Sequence, residues 1–427
     1  MKDLREASLH RILLLCILSI FSFQVGAQTD ETVEDNDESN VADSTFADTT
    51  SVDSVRLPWP KSIQVQFDHL LTNRMFETSQ VGIMVWDLSA DSCIYKHDEK
   101  QLLRPASTMK LITAITAIDK LGGSYQFKTQ LKYTGKIENH TLTGDVYCVG
   151  GMDPRFNADD MSALVSSLKE MGVDTIRGGI YADVSMKDDK QYGEGWCWDD
   201  DNSVLTPLLI SRKDLIMERF KAKLIDDSIV FSGFSSQEKQ CPAESYVITT
   251  RSHSIDQILM RMLKESDNLY AESMYYQIAA STGNRQASAK SARAIEKQLI
   301  DKIGLNSARY KFADGSGLSL YNYVSAELEV RLLRYAYQNN NIYLHLYPAL
   351  PVAGVDGTLK KRMLGSFTDG NVHAKTGTVT GVSSLAGYCR AANGHMLCFS
   401  IIDQGVMHGR NGRAFQDRVC TLLCQPQ

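Results

Sequence analysis

Ser107 and Lys110 lie three residues apart in RPASTMKLITA, just ahead of an apolar run. A serine hydroxyl is a weak nucleophile that needs a neighbouring base, and a lysine one helical turn on shares its face. A free lysine, with a pKa near 10.4, is neutral in only about one molecule in 2,500 at pH 7. It becomes a base where burial or a second cation lowers that value. Lys375, in AKTGT, can supply the second cation. At about 4 Å and an effective dielectric near 20 its repulsion is worth about 4 kcal/mol, roughly three pK units. The spacing alone selects nothing, because Ser166/Lys169 and Ser236/Lys239 repeat it. Ser107 is set apart by two motifs further along the chain: Ser266-Asp267-Asn268, then Lys375-Thr376-Gly377-Thr378.

These residues need elements to hold them. STMKLITAITAIDKL has apolar residues at helical spacing and puts Ser107 at the helix start. Ahead of it, KSIQVQFDHLLTN predicts a short helix, and VGIMVWDL with SCIYKHD a hairpin. From about Tyr125 the character changes. YQFKTQLKYTG, HTLTGDVYCVGG and IRGGIYADVS are short β segments punctuated by Gly and Asn, with a helix near MSALVSSLKEMG. This predicts a smaller α+β insertion over 125–246, between catalytic segments at 58–124 and 247–427. Helices resume at SIDQILMRMLKESDNLYAESMYYQIAAST and place Ser266 and Asn268 in a helical region. VHAKTGT, SSLAGYCRA and HMLCFSIID read as consecutive strands, followed by a helix from about Arg413. Strands joined by tight turns imply an antiparallel sheet with helices packed on it, an α+β fold.

A 43% hydrophobic content over 427 residues supports a substantial core. Residues 1–27 have the form of a secretory leader: Lys2, Arg5 and Arg11, then ILLLCILSIF, then small residues before a cut near Ala27. The apolar stretch is short for a membrane span, so no stable transmembrane anchor is expected. Residues 28–57 read as an acidic, Ser/Thr-rich, disordered tether. The leader contributes +1 and the acids of residues 28–55 −9 to a total of −6, leaving about +2 from Arg56 onward. The acidity therefore says nothing about the substrate, and no basic run suggests nucleic acid. Asp43-Ser44-Thr45, Asp48-Thr49-Thr50 and Asp53-Ser54-Val55 resemble an O-glycosylation pattern of some Gram-negative exported proteins. An exported chain permits disulfides. A two-residue turn at Asn393-Gly394 would set Cys389 opposite Cys398 within bonding reach. A three-residue loop would put the two thiols on opposite faces. The nine histidines show no metal spacing, and no cofactor is expected.

Ser-x-x-Lys, Ser-x-Asn and Lys-Thr-Gly in this order mark penicillin-binding proteins and class A β-lactamases. With VGGMDPRF, GWCWDD, DGSGLS and LPVAGVDGTLKKRM, the chain from about Pro58 to Asp403 resembles the class C low-molecular-mass penicillin-binding proteins. These are D-alanyl-D-alanine carboxypeptidases and endopeptidases of the penicillin-binding protein 4 type. The resemblance implies a serine β-lactamase/DD-peptidase-like catalytic domain, split by an insertion, that acts on peptidoglycan stem peptides and is acylated by β-lactams. It casts Ser107 as nucleophile, Lys110 as base, Ser266 as proton relay, Asn268 as holder of the substrate amide, and Lys375, Thr376 and Thr378 around the terminal carboxylate. The N–H groups of Ser107 and Thr378, beside Gly377, would form the oxyanion hole. It further implies that Asp200 receives the free amine of a diaminopimelate side chain; the alternative is a solvated acidic turn, since acids run from 199 to 201.

The chain departs from that family in length. Lys110 and Ser266 are separated by 155 residues, fewer than the family usually has, so a third, β-rich module is expected to be largely missing between GWCWDDDNSVLTPL and IVFSGF. Two other functions compete. A class A β-lactamase would need a deacylating carboxylate in Glu-x-x-Leu-Asn after the second motif, and none occurs. A scaffold without turnover would not need the intact Ser107, Lys110, Ser266 and Lys375.

Overall fold

β12 (Val382–Arg390) and β13 (Met396–Gln404) are buried almost without interruption instead of alternating, the mark of a sheet covered on both faces. The structure, a computed structural model, describes residues 57–197, 200, 202–234, 237–283 and 286–426. The expected leader, nearly all of the acidic tether with its glycosylation pattern, and Ser236 lie outside the described residues.

In chain order the first segment carries α1 (Lys61–Leu70), β1 (Gln80–Asp87), β2 (Ser92–His97) and α2 (Met109–Leu121). Next come β3 (Gln126–Tyr133), β4 (Lys136–Glu138), β5 (Thr141–Thr143), β6 (Val146–Val149), α3 (Ala158–Glu170), β7 (Thr175–Arg177), β8 (Ile180–Asp183), α4 (Ile216–Asp226), β9 (Val230–Phe231) and β10 (Tyr246–Ser254). The last segment carries α5 (Ile255–Lys264), α6 (Asn268–Ala280), α7 (Ala289–Lys302), α8 (Ala326–Gln338), α9 (Asn340–Ala349), β11 (His373–Val379), β12, β13 and α10 (Gly409–Cys424).

The central sheet runs β11-β12-β13-β1-β2, antiparallel throughout. One face packs Met84, Ala386, Tyr388 and Ile402 against the helical region built on α2, α5, α6 and α8. The other packs Ile83, Leu385, Phe399 and Ile401 against α1 and α10 through Phe67, Phe415 and Val419. β11 is an edge strand, so the Lys-Thr-Gly motif has one side free to line a cleft.

The insertion contains two four-stranded mixed sheets, β10-β3-β6-β8 and β4-β5-β7-β9, around α3 and α4. β10 pairs with β3 along its whole length, so this sheet runs to Ser254 and not to the expected Tyr246. The boundary is set by a capping box, in which Ser254 and Gln257 satisfy each other's backbone N–H at the start of α5. A capping box directly after a polar strand leaves no loop to mark the change.

The cysteine pairing fails by one residue of register. Cys389 faces Leu397, and Cys398 faces Tyr388. Ala391 N–H donates to His395 O and Gly394, at φ +88, closes a three-residue loop. The two thiols therefore lie on opposite faces of the sheet, Cys398 toward the helical region and Cys389 toward α10, where it shares a hydrogen bond with the Cys424 thiol. All eight cysteines described are free.

Asp403, on β13, is fully buried. Its Oδ2 accepts from Gln416 Nε2 at 3.1 Å, its Oδ1 has no partner among the described residues, and burial pushes the carboxyl up to about 8. The folded protein therefore holds a proton that the unfolded chain releases near pH 4. The stabilisation is complete below about pH 4 and is lost as pH rises through about 8. We expect the free energy of urea unfolding to fall between pH 5 and 8, and Asp403→Asn to flatten that decline. An unchanged slope in the variant would contradict the assignment.

Candidate active site

The turn that carries Ser107 is strained and braced. Ala106–Thr108 form a single 3-10 turn that runs straight into α2, and Ala106 sits at φ +49, a region costly for a residue with a Cβ. The turn is held by its neighbours. Ser384 Oγ donates to Pro105 O at 2.6 Å, and Thr108 Oγ1 donates to Glu329 Oε1 at 2.6 Å. Ser400 Oγ donates to the other Glu329 oxygen at 2.7 Å. Burial raises the Glu329 carboxyl to about 7, with the two hydroxyls pulling it down. Gly317 is required opposite the turn, since a Cβ there would overlap the Ala106 carbonyl.

Lys110, wholly buried, has Nζ 2.8 Å from Ser107 Oγ, 2.7 Å from Asn268 Oδ1 and 3.0 Å from Ser316 O. A neutral amine has two hydrogens and one lone pair. The amide oxygen of Asn268 and the Ser316 carbonyl can only accept, so they take the two hydrogens. Ser107, unlike those two, has a proton to give, and a neutral Lys110 can accept it.

Lys375, also wholly buried, donates to Ser266 Oγ at 2.8 Å and to Thr376 O at 2.7 Å. Ser266 precedes α6 with φ +58, and Asp267 caps that helix while receiving Arg261 Nε at 2.8 Å and Arg212 from the insertion. Asn268, the first residue of α6, thus aims its side chain at Lys110. On β11, Lys375 and Gly377 are buried while Thr376 is half-buried and Thr378 exposed, so the two threonines share the open face. Gly377 lets the strand touch the turn that carries Ser107: a Cβ would lie 2.8 Å from Pro105 O and 2.9 Å from Ser107 N. The residues of the three motifs are therefore brought together.

Three groups go beyond the sequence expectations. The DGSGLS loop, to which the sequence assigns no role, supplies the Ser316 carbonyl to Lys110 and the Gly315 carbonyl to Thr113 Oγ1 at 2.8 Å. Glu272 Oε1 fixes that loop, accepting from Gly315 N at 3.0 Å and Ser316 N at 2.8 Å. Burial, reinforced by the Asp314 charge, lifts Glu272 to about 8. Its position four residues after Asn268 puts it on the same face of α6, a signal the sequence offered. Glu329 had none, since it reaches the turn from α8, far along the chain.

Asp200 caps its own turn, with Oδ2 accepting from Cys197 N at 2.7 Å. The loop does reach the site: Trp196 Nε1 donates to Asp314 Oδ2 at 2.9 Å, and Asn202 Oδ1 comes within 3.5 Å of Asn268 Nδ2. His373, two residues before Lys375, stacks on Tyr347 with centroids 4.2 Å apart, and burial lowers its pKa. No metal-holding cluster occurs among the described residues.

This arrangement has known counterparts. The D-alanyl-D-alanine carboxypeptidase DacB of Haemophilus influenzae is 26% identical over 413 residues, covering 77% of this chain and 86% of that protein. A D-alanyl-D-alanine carboxypeptidase of an Actinomadura species is 26% identical over 85% of this chain and 84% of its own. The crystal structure of H. influenzae penicillin binding protein 4 matches the fold with a TM-score of 0.76 at 24% identity, over 83% of this chain and 97% of that one. The model of the D-Ala-D-Ala carboxypeptidase 3 (S13) family matches residues 63–208 and 209–425, and the chain belongs to that family.

Proposed function

We propose that the protein is a serine-type D-Ala-D-Ala carboxypeptidase and endopeptidase that cleaves peptidoglycan stem peptides through an ester on Ser107. The observation that supports this is the position of the buried Lys110 Nζ, 2.8 Å from the Ser107 hydroxyl and held by Asn268 Oδ1 and the Ser316 carbonyl. As Ser107 Oγ attacks the carbonyl of the penultimate D-Ala, its proton passes to Lys110. The oxyanion forms against the N–H groups of Ser107 and Thr378, donors of a kind worth about 3 kcal/mol each. Collapse breaks the peptide bond, and the leaving amine takes a proton through Ser266, which Lys375 orients. Water then cleaves the ester and restores the serine. Asn268 holds the substrate amide, and Thr376 and Thr378 meet its carboxylate. A penicillin follows the same first steps, but its opened ring stays attached and blocks water.

The leader and acidic tether support export to the periplasm; among the described residues no helix is long and apolar enough to cross a membrane. One experiment tests the function: incubation with a labelled penicillin and with a stem pentapeptide. Long-lived labelling of Ser107 together with D-Ala release is expected. Rapid penicillin hydrolysis would instead indicate a β-lactamase, and neither reaction a scaffold.

Asp200 is proposed to receive the side-chain ammonium of the stem peptide, for which a carboxylate is suited. Asp200→Ala should lower kcat/KM about tenfold for peptides with a free side-chain amine and spare a simple D-Ala-D-Ala mimic. Equal losses on both would remove the role.

A further inference from the structure

The turn at Gly357–Leu359, in VAGVDGTLKK, lies against the third motif and against the end of α5 just before the second. Asp356 receives Lys264 Nζ on both oxygens, at 2.8 and 2.7 Å, and its Oδ1 also accepts from Val352 N at 2.9 Å. Gly357, at φ +56, lets the turn press on the Lys264 carbonyl, since a Cβ would come within 2.6 Å of that oxygen. Lys264 is two residues before Ser266. At the other end, Thr358 Oγ1 accepts from Thr376 Oγ1 at 2.8 Å. Thr358 is half-buried, on the side of β11 that Thr376 and Thr378 share.

A carboxylate needs donors, and each threonine hydroxyl has one proton. Thr376 gives its proton to Thr358. The pair then has one proton left to offer, and it belongs to Thr358. We propose that Thr358 is a specificity-determining residue, donating a hydrogen bond to the terminal carboxylate of the substrate while Thr376 orients it. The proposal rests on the D-Ala-D-Ala peptidase function and refines its carboxylate site: Thr376 acts on the carboxylate through Thr358, beside Thr378. The Asp356–Lys264 pair holds the donor in place before substrate arrives, so little ordering remains to oppose binding.

The test compares Thr358→Val, Thr358→Ala and Thr358→Ser on an acyl-D-Ala-D-Ala peptide and on the same peptide ending in a carboxamide. The carboxamide carries no charge to recognise. For Thr358→Val we expect kcat/KM on the free acid to fall about tenfold or more, mostly through KM, with a loss several times smaller on the carboxamide, whose neutral oxygen accepts a weaker bond. Thr358→Ser should restore the acid-to-amide ratio. Thr358→Ala should behave as valine does, so the ratio can be read even if valine packs badly. Equal losses on acid and amide, or an unchanged ratio in both hydroxyl-free variants, would overturn the proposal. Wild-type enzyme that released neither D-Ala from the acid nor D-alaninamide from the carboxamide would overturn the function beneath it as well.

Discussion

Lys110→Met should slow acylation of Ser107 by a labelled penicillin about 10³-fold at pH 7, a loss in the range of a positioned general base. Methionine keeps the length and apolar stem but has no lone pair basic enough to take the hydroxyl proton. The Ser316 carbonyl and the Asn268 amide oxygen, which flank the amine, are not bases at this pH. Lys375, the other buried amine, has Ser266 and the Thr376 carbonyl as partners. The residual rate should be real and above background, because the oxyanion donors and substrate contacts remain. Ser107→Ala, in contrast, leaves no ester at all. Circular dichroism of the variant checks the fold, and label incorporation against time gives the rate. Acylation within tenfold of wild type would mean that another group takes the proton.

The chemistry was legible because it depends on side-chain types at fixed spacing. Ser107 and Lys110 share a helical face, and Lys375, Thr376 and Gly377 alternate on a strand, so the sequence carries both identity and direction. The supports were less legible. Ser316 acts through its carbonyl, and any residue type has one. Glu329 braces the nucleophile turn from a helix more than two hundred residues away, a contact no local pattern encodes. The Cys389–Cys398 expectation failed because one extra loop residue reverses the facing of every side chain beyond it. The end of β10 was hard to read for another reason: it passes into α5 through a single cap, without the glycine or proline that punctuates other junctions.

Gly377 shows how narrowly the backbone is set. Gly377→Ala places a methyl against the Ser384 hydroxyl, 2.8 Å from Pro105 O and 2.9 Å from Ser107 N. The first contact can relax if Ser384 turns, at the cost of its hydrogen bond to Pro105. The other two are backbone atoms of the nucleophile turn, which Glu329, Thr108 and Ser384 hold fixed, so the edge strand must yield. β11 would carry Thr378 N–H away from the oxyanion, and a shift of about 1 Å typically costs about 10²-fold. We expect kcat/KM to fall by about that factor, more in kcat than in KM, with stability reduced by about 1–3 kcal/mol from overpacking. Adding Ser384→Ala separates the two causes. It clears the hydroxyl but leaves both backbone clashes, so the double variant should recover little activity. Full recovery would mean that the serine side chain, and not the closeness of strand to turn, makes glycine necessary at this position.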